Sequence, residues 1–224
     1  MPTAEKTIEK GVKAALALAK DTPWGHLTLA GIAKKAGLKL SDFHGVADKG
    51  DLAEAVEPFF DKAMSAEVLD MDEAPRARLF EAVMLRFEAM EDHREALTSL
   101  MKWREQSPAR LARMIGLRRA SAEWALVCAG LDNADGLAGA PERLKALNVG
   151  WAMAKAERAW RRETSPDFTR TMAALDKELR DAEERADWFG KLRQRRSRER
   201  DGEGWRFADE NEPGPGAPKA DPAS

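Results

Sequence analysis

Residues 28–52 read TLAGIAKKAGLKLSDFHGVADKGDL, the strongest local signal in the chain. Leu29, Ile32, Ala33 and Ala36 fall at i, i+3, i+4 and i+7, one apolar stripe on a short helix. Thr28 stands before the stripe, where its hydroxyl oxygen can accept from a free first-turn amide. Gly37 stands after it, where a left-handed residue closes a helix at little cost. Leu38 re-enters the core, and Leu40 to Val46 leaves room for two helical turns before Asp48 and Lys49 open a third helix. Two short helices joined by a glycine-containing turn predict a helix-turn-helix, whose second helix can enter a DNA major groove.

On these residues the segment resembles the DNA-binding domain of TetR-type transcriptional regulators. The match lies at Thr28, Ile32, Ala33, Ala36, Gly37, Leu38, Phe43 and Lys49, with His44 where that family usually has tyrosine. Gly45-Val46-Ala47-Asp48 departs from the family pattern and is one residue shorter, and the second helix carries no arginine. The resemblance implies an all-α TetR-like fold of about nine helices. A helix-turn-helix head at 1–48 would precede a helical ligand-binding and dimerisation domain at 49–190 and a basic-then-acidic tail at 191–224. It also implies a ligand-responsive repressor that binds a double-stranded DNA operator as a homodimer. The DNA-binding positions would be Thr28, Lys39, Ser41, Asp42, His44 and Lys49.

Composition agrees with an all-α chain. Of 224 residues, none is tyrosine, and runs rich in Val, Ile and Thr are missing. The net charge of −2 gives no global nucleic-acid signal. Residues 1–62 hold nine lysines, no arginine and nine acidic residues. Locally, Lys34, Lys35, Lys39 and Lys49 outweigh Asp42 and Asp48 by two, which suits phosphate contacts without base reading. Base reading would fall to Lys39, Ser41, Asp42 and His44, with no arginine for guanine. The single cysteine, Cys128, fits a reducing cytoplasm. No secretory signal and no run near the ~20 apolar residues of a membrane span is visible.

Helices are predicted over Ala4–Lys20, Lys49 to about Val68, Pro75–Glu91, His93–Glu105, Pro108–Ala129, Pro141–Glu163 and from Pro166 to about Phe189, the last with Thr164 and Ser165 as N-cap candidates and Asp167 as a first-turn acid. Pro23 ends the first, and Trp24 should pack beneath the head. Pro58 predicts a kink in the helix leaving the head. GLDNADGLAGA at 130–140 reads as a loop. KLRQRRSRER at 191–200 has six basic residues in ten, followed by acidic and Pro/Gly/Ala-rich runs, a composition too polar to fold alone.

No catalytic constellation is found. His26, His44 and His93 lie in separate elements without metal-ligand spacing, and there is no phosphate loop or nucleophile elbow, so neither enzyme nor cofactor is expected. Phe80, Met84, Phe87, Met90, Met101, Trp103, Met114 and Trp124 could fill a core or line a cavity for a small apolar effector. By resemblance the effector pocket lies among these helices, and Phe87, Met101, Trp103 and Trp124 are the lining candidates. Arg86, Arg94 and Arg118 are potential polar anchors whose default is a solvated surface. Leu144, Leu147, Trp151 and Ala154, then Phe168, Met172, Leu175, Leu179 and Ala182, make two seams of three-four spacing. Such seams suit an intrachain contact equally well; the resemblance implies a homodimer through the last two helices. The C-terminal half, with its Trp-rich helices and the Thr164-Ser165-Pro166-Asp167 start to the last helix, is also similar to accessory proteins of coenzyme Q biosynthesis, which share the fold and bind lipids instead of DNA. The unusual head fits that rival reading.

Overall fold

The computed structural model describes residues 3–67, 70–132 and 142–185, with backbone only at 142 and 143. The described residues contain eight α-helices and no strand. They are α1 (Ala4–Leu18), α2 (Leu29–Ala36), α3 (Lys49–Asp61), α4 (Pro75–Glu91), α5 (Arg94–Glu105), α6 (Pro108–Cys128), α7 (Glu142–Trp160) and α8 (169–185). Three 3-10 turns occur, at Trp24–His26, Leu40–Phe43 and Lys62–Ser65. Most of the 130–140 connection, the helix ends expected near Val68 and Phe189, and the 191–224 tail lie outside the described residues.

The head forms as its apolar spacing requires. α1 buries Val12, Ala15 and Leu16, and α2 buries Ile32 and Ala33 against it. Thr28 caps α2, its side-chain oxygen accepting from the Gly31 N–H at 3.1 Å, and Gly37 closes it at φ 65°. Trp24 is fully buried, and its backbone N–H donates to the Ser99 hydroxyl at 2.8 Å, tying the head to α5. The second helix of the motif departs from expectation. In place of two α-turns over Leu40–Val46 stands a four-residue 3-10 turn, followed by Gly45 at φ 73°. Asp42 accepts from the Lys39 N–H at 2.9 Å and fixes the entry. Gly45 then takes a left-handed conformation that cannot continue a right-handed helix.

α3 leaves the head and packs against α1, α4 and α6. Its first turn is closed reciprocally, Asp51 N–H to Asp48 and Asp48 N–H to Asp51, at 2.9 and 2.8 Å. Past Pro58 it tightens into the Lys62–Ser65 turn, so the regular α-helix ends at Asp61. Beyond α3, the core is filled by Leu79, Val83 and Phe87 of α4, Leu97 and Leu100 of α5, Ala122 and Ala125 of α6, and Val149, Ala152 and Trp160 of α7.

A buried ionic cluster joins α3 to α4, α5 and α6. Glu57 accepts from both Arg86 and Arg104, groups only 7%, 4% and 3% exposed. Arg86 also donates to Asp61 at 2.8 Å, Asp61 accepts from the Ser121 hydroxyl at 2.7 Å, and Arg104 donates to the Ala53 carbonyl at 2.6 Å. Burial pushes the Glu57 carboxyl up, but Arg86, Arg104 and Arg118 together hold it down at about 2. Asp61 goes the other way: burial raises it more than Arg86 and Ser121 lower it. Arg118 pairs with Glu157 of α7. Arg86 therefore belongs to the interior, against its default reading as a solvated group. Arg94 is also turned inward, donating to the Trp160 and Glu163 carbonyls at 2.9 and 2.6 Å.

The last helix begins later than Thr164-Ser165-Pro166-Asp167 suggested. Glu163 is the effective cap: its carboxylate accepts from the backbone N–H groups of Thr164, Ser165, Arg170 and Thr171 at 2.8–3.1 Å. Burial raises that carboxyl, but the four N–H donors outweigh it and hold it at about 2. An ionised acceptor serving four amides outcompetes a neutral hydroxyl serving one. The chain then passes through Phe168 at φ 52° before α8 starts.

Candidate functional site

The tip of the head is built from the C-terminal turn of α2 and the Leu40–Phe43 turn. Lys34, Lys35, Lys39, Ser41 and His44 are all exposed here, and Phe43 alone of the turn is buried beneath them. Leu40 stands among them 52% exposed. Of the six DNA-binding candidates, Lys39, Ser41 and His44 share this surface. Thr28 is exposed with its oxygen engaged in the α2 cap, and Asp42 is half-buried with one oxygen engaged by Lys39 N–H. Beside the turn lies an open groove of about 530 Å³ lined by Leu29, Leu40, Val46, Asp48 and Asp51 among others.

Lys49 is placed differently. Its ammonium donates to the Gly25 and Leu27 carbonyls at 2.9 and 2.8 Å and lies 5.6 Å above the Trp103 ring. Burial, and then the nearby Arg110 guanidinium, push the Lys49 pKa down. The structure thus brings a DNA-binding candidate and a ligand-binding candidate together at the junction of head and body.

That junction is a cleft of about 400 Å³ between the first turn of α3, the end of α5 and the start of α6. Arg110 stacks on Trp103, 3.9 Å from its guanidinium carbon to the ring centre, and donates to the Trp103 carbonyl at 2.8 Å. Arg113 pairs with Glu54 at the rim. Met114 and Leu117 supply apolar wall. The other lining candidates lie elsewhere. Phe87 is fully buried with its ring 6.3 Å from that of Trp160, and Met101 is buried with its sulfur beside Arg104. Trp124 is partly exposed on α6, its indole N–H donating to the Asp61 carbonyl at 3.1 Å. The four do not converge on one space.

The sequence reading missed Arg110, and a signal existed. It lies seven residues after Trp103, across the Ser107-Pro108 helix start, where a chain reversal folds the new helix back onto the old one. The buried cluster was also signalled. Arg86 continues the Leu79, Val83, Met90 stripe, Glu57 lies between Ala53 and Phe60, and Arg104 follows Leu97 and Met101 in three-four steps. A charge on the apolar stripe of three consecutive long helices points to mutual pairing inside.

The expected dimer seams divide. Leu144, Leu147 and Trp151 of α7 are exposed, with Trp151 at 56%, and Ile115 of α6 is exposed at 65%. The Gly150 backbone faces Ala122 and Arg118, so this apolar strip runs beside the α6–α7 contact. On α8, Leu175 and Leu179 are buried within the chain and only Met172 of that seam's large residues is well exposed. Among the described residues no cluster of metal-ligating side chains occurs, and no helix is long and apolar enough to cross a membrane.

Comparison with known proteins places the fold. No protein-family model matches the chain, and no curated protein matches its sequence. Solved structures do. A TetR transcriptional regulator from Nitrosomonas europaea ATCC 19718 is similar at 17% identity and a TM-score of 0.62, covering 81% of this chain and 98% of that one. One from Rhodococcus sp. RHA1 is similar at 14% identity and a TM-score of 0.57, covering 81% and 97%. A tetR-family regulator from Streptomyces coelicolor is similar at 19% identity and a TM-score of 0.52, covering 87% and 97%. The chain has the TetR-like fold.

Proposed function

We propose that this protein is a TetR-type DNA-binding transcriptional regulator, a homodimeric repressor released from its operator by a small effector. The observation that carries the reading is the tip of the head. A hydroxyl-capped α2 and a short turn present Lys34, Lys35, Lys39, Ser41 and His44 together to solvent, and nothing within the described chain covers them. The lysines supply phosphate affinity; Lys39, Ser41 and His44 supply what base contact there is. The turn is a 3-10 segment without arginine, so salt-dependent backbone binding dominates over sequence reading. The exposed strip of Leu144, Leu147 and Trp151, with exposed Ile115 on the neighbouring α6, supports a two-fold contact between copies.

An electrophoretic shift on the DNA upstream of the protein's own gene, read at rising salt, tests this. The complex should form at 50 mM salt and weaken at least about tenfold by 200 mM. Lys39→Ala should weaken it further, and Leu147→Glu with Trp151→Glu should convert a dimer to a monomer by light scattering. No shift at the lowest salt would reject DNA binding. The rival, a lipid-binding accessory protein of the same fold, draws on the shortened recognition turn and exposed Leu40. A lipid co-purifying in stoichiometric amount, with no shift, would favour it.

A further inference from the structure

Lys49 and Arg110 make an unusual pair. Both lie against the same indole ring, Trp103, at 5.6 and 3.9 Å, in a cleft walled by Met114 and Leu117. All their hydrogen bonds given by the structure go to backbone carbonyls, and among the described residues neither has a carboxylate at ion-pair distance. The other cations around them are neutralised, Arg104 by Glu57 and Arg113 by Glu54. Two positive charges are therefore held against one ring in one cleft, at a partly dry surface and without a carboxylate partner among the described residues. Such an arrangement is costly in itself: burial and the nearby Arg110 push the Lys49 pKa down.

Arg110 is also well prepared to receive an anion. Stacking on Trp103 and the bond to the Trp103 carbonyl fix its plane and occupy one terminal nitrogen, which leaves its remaining N–H groups for a ligand. We infer that this cleft binds an organic carboxylate with an apolar or aromatic body, its carboxylate on Arg110 and Lys49 and its body along Trp103, Met114 and Leu117. The inference rests on the proposed function for its biological meaning and replaces a purely apolar effector with an amphipathic anion. It also gives the ligand a route to the head. Lys49 clamps the Gly25 and Leu27 carbonyls beneath α2, so an anion that draws the ammonium toward the cleft loosens the seat of the DNA-binding tip.

The test is calorimetry on the full chain without DNA, using 2-naphthoate and decanoate against the matching neutral alcohols. The carboxylates should bind at least about tenfold more tightly than the alcohols, with affinity falling as salt rises. Arg110→Gln should remove that preference, whereas Arg119→Gln, on the outer face of α6 and paired with Glu123, should leave it intact. If Arg110→Gln fails to fold, Arg110→Lys keeps the charge without the fork and should retain only part of the preference. Equal binding of acid and alcohol, unchanged binding by Arg110→Gln, or no binding of either acid up to about 1 mM would overturn the inference. Repeating the electrophoretic shift with saturating decanoate separates the two readings. Carboxylate binding without any DNA shift leaves the site standing and rejects the regulator, and DNA binding without carboxylate binding does the reverse.

Discussion

Glu57→Gln is the most informative single change in this chain. Glutamine keeps the shape of the side chain, so no cavity opens, and the perturbation is the loss of one buried negative charge. Arg86 would still have Asp61 at 2.8 Å, but the amide oxygen can accept from only one of the two guanidinium groups, and Arg104, left with neutral partners such as the Ala53 carbonyl, becomes a buried cation without a counter-ion. Two routes give the size of the effect. Breaking one partner out of a buried ion pair costs about 3–5 kcal/mol. Independently, a carboxyl held at about 2 in the folded chain against an ordinary 4.5 contributes roughly 3 kcal/mol at neutral pH. Against a typical total of about 5–15 kcal/mol, either figure is a large share. Urea denaturation followed by circular dichroism at pH 7 should show it. The lowered carboxyl also fixes the pH dependence. Its stabilisation is complete above its ordinary value and is lost as pH falls from about 4.5 toward 2, so the gap between wild type and variant should close over that range. The Asp61 carboxyl, raised by burial, shifts stability in the opposite sense, but both proteins carry it and its effect largely cancels in the difference. A loss under about 1 kcal/mol at pH 7, or a gap that ignores pH, would refute this account of the cluster.

Gly45→Ala should cost about 1–2 kcal/mol, because φ is 73° there and no atom lies within 4 Å of a new Cβ, so the whole effect is backbone strain. Equal denaturation midpoints would contradict it. Thr28→Ala removes the α2 cap and should cost about 1 kcal/mol, with faster amide exchange at Gly31 by nuclear magnetic resonance. Glu163→Gln should expose residues 164–171 to limited proteolysis while the head resists, since four backbone amides lose a charged acceptor. Because that carboxyl is held at about 2, wild-type protection of the segment should persist above pH 4.5 and fade as pH falls toward 2, whereas the variant's exposure should vary little there.

Much of the head could be read from residue spacing because short helices with a single buried stripe leave few alternatives. Ile32 and Ala33, and Leu52, Val56 and Phe60, are buried where their periodicity puts them. The Leu40–Phe43 turn was harder to read. Leu40 to Val46 has length enough for a helix, and only the bond that the Lys39 N–H donates to the Asp42 carboxylate and the left-handed Gly45 decide for a tighter turn. Such choices are worth about a kcal/mol each and lie below what a hydrophobic pattern resolves. Buried arginines escaped for another reason. A charged residue is taken as solvated unless its partner is known, and the partners of Arg86 and Arg104 lie 29 and 47 positions away in the sequence. Glu163 escaped because the cap comes from before the loop, not from the Thr-Ser-Pro-Asp run within it.

These contacts together make α3 a lever with three kinds of attachment. At its first turn, Lys49 holds the carbonyls under α2. At its middle, Glu57 is bonded by two arginines from different helices. At its last turn, Asp61 takes hydrogen bonds from Arg86, Ser121 and, through its backbone carbonyl, Trp124. The middle and last attachments are buried charge pairs or closed hydrogen bonds, whose geometry is discrete because partial separation leaves a charge unpaired. The first is a single exposed-edge ammonium on neutral carbonyls, with its strongest electrostatic neighbour repelling it. Of these three attachments the one at Lys49 is the least costly to exchange, at the end of the lever nearest the lysine-bearing tip and bordering the cleft. A switch built on this chain would act there, by exchanging the carbonyls for an anion, and would leave the ionic cluster as the fixed point about which α3 turns.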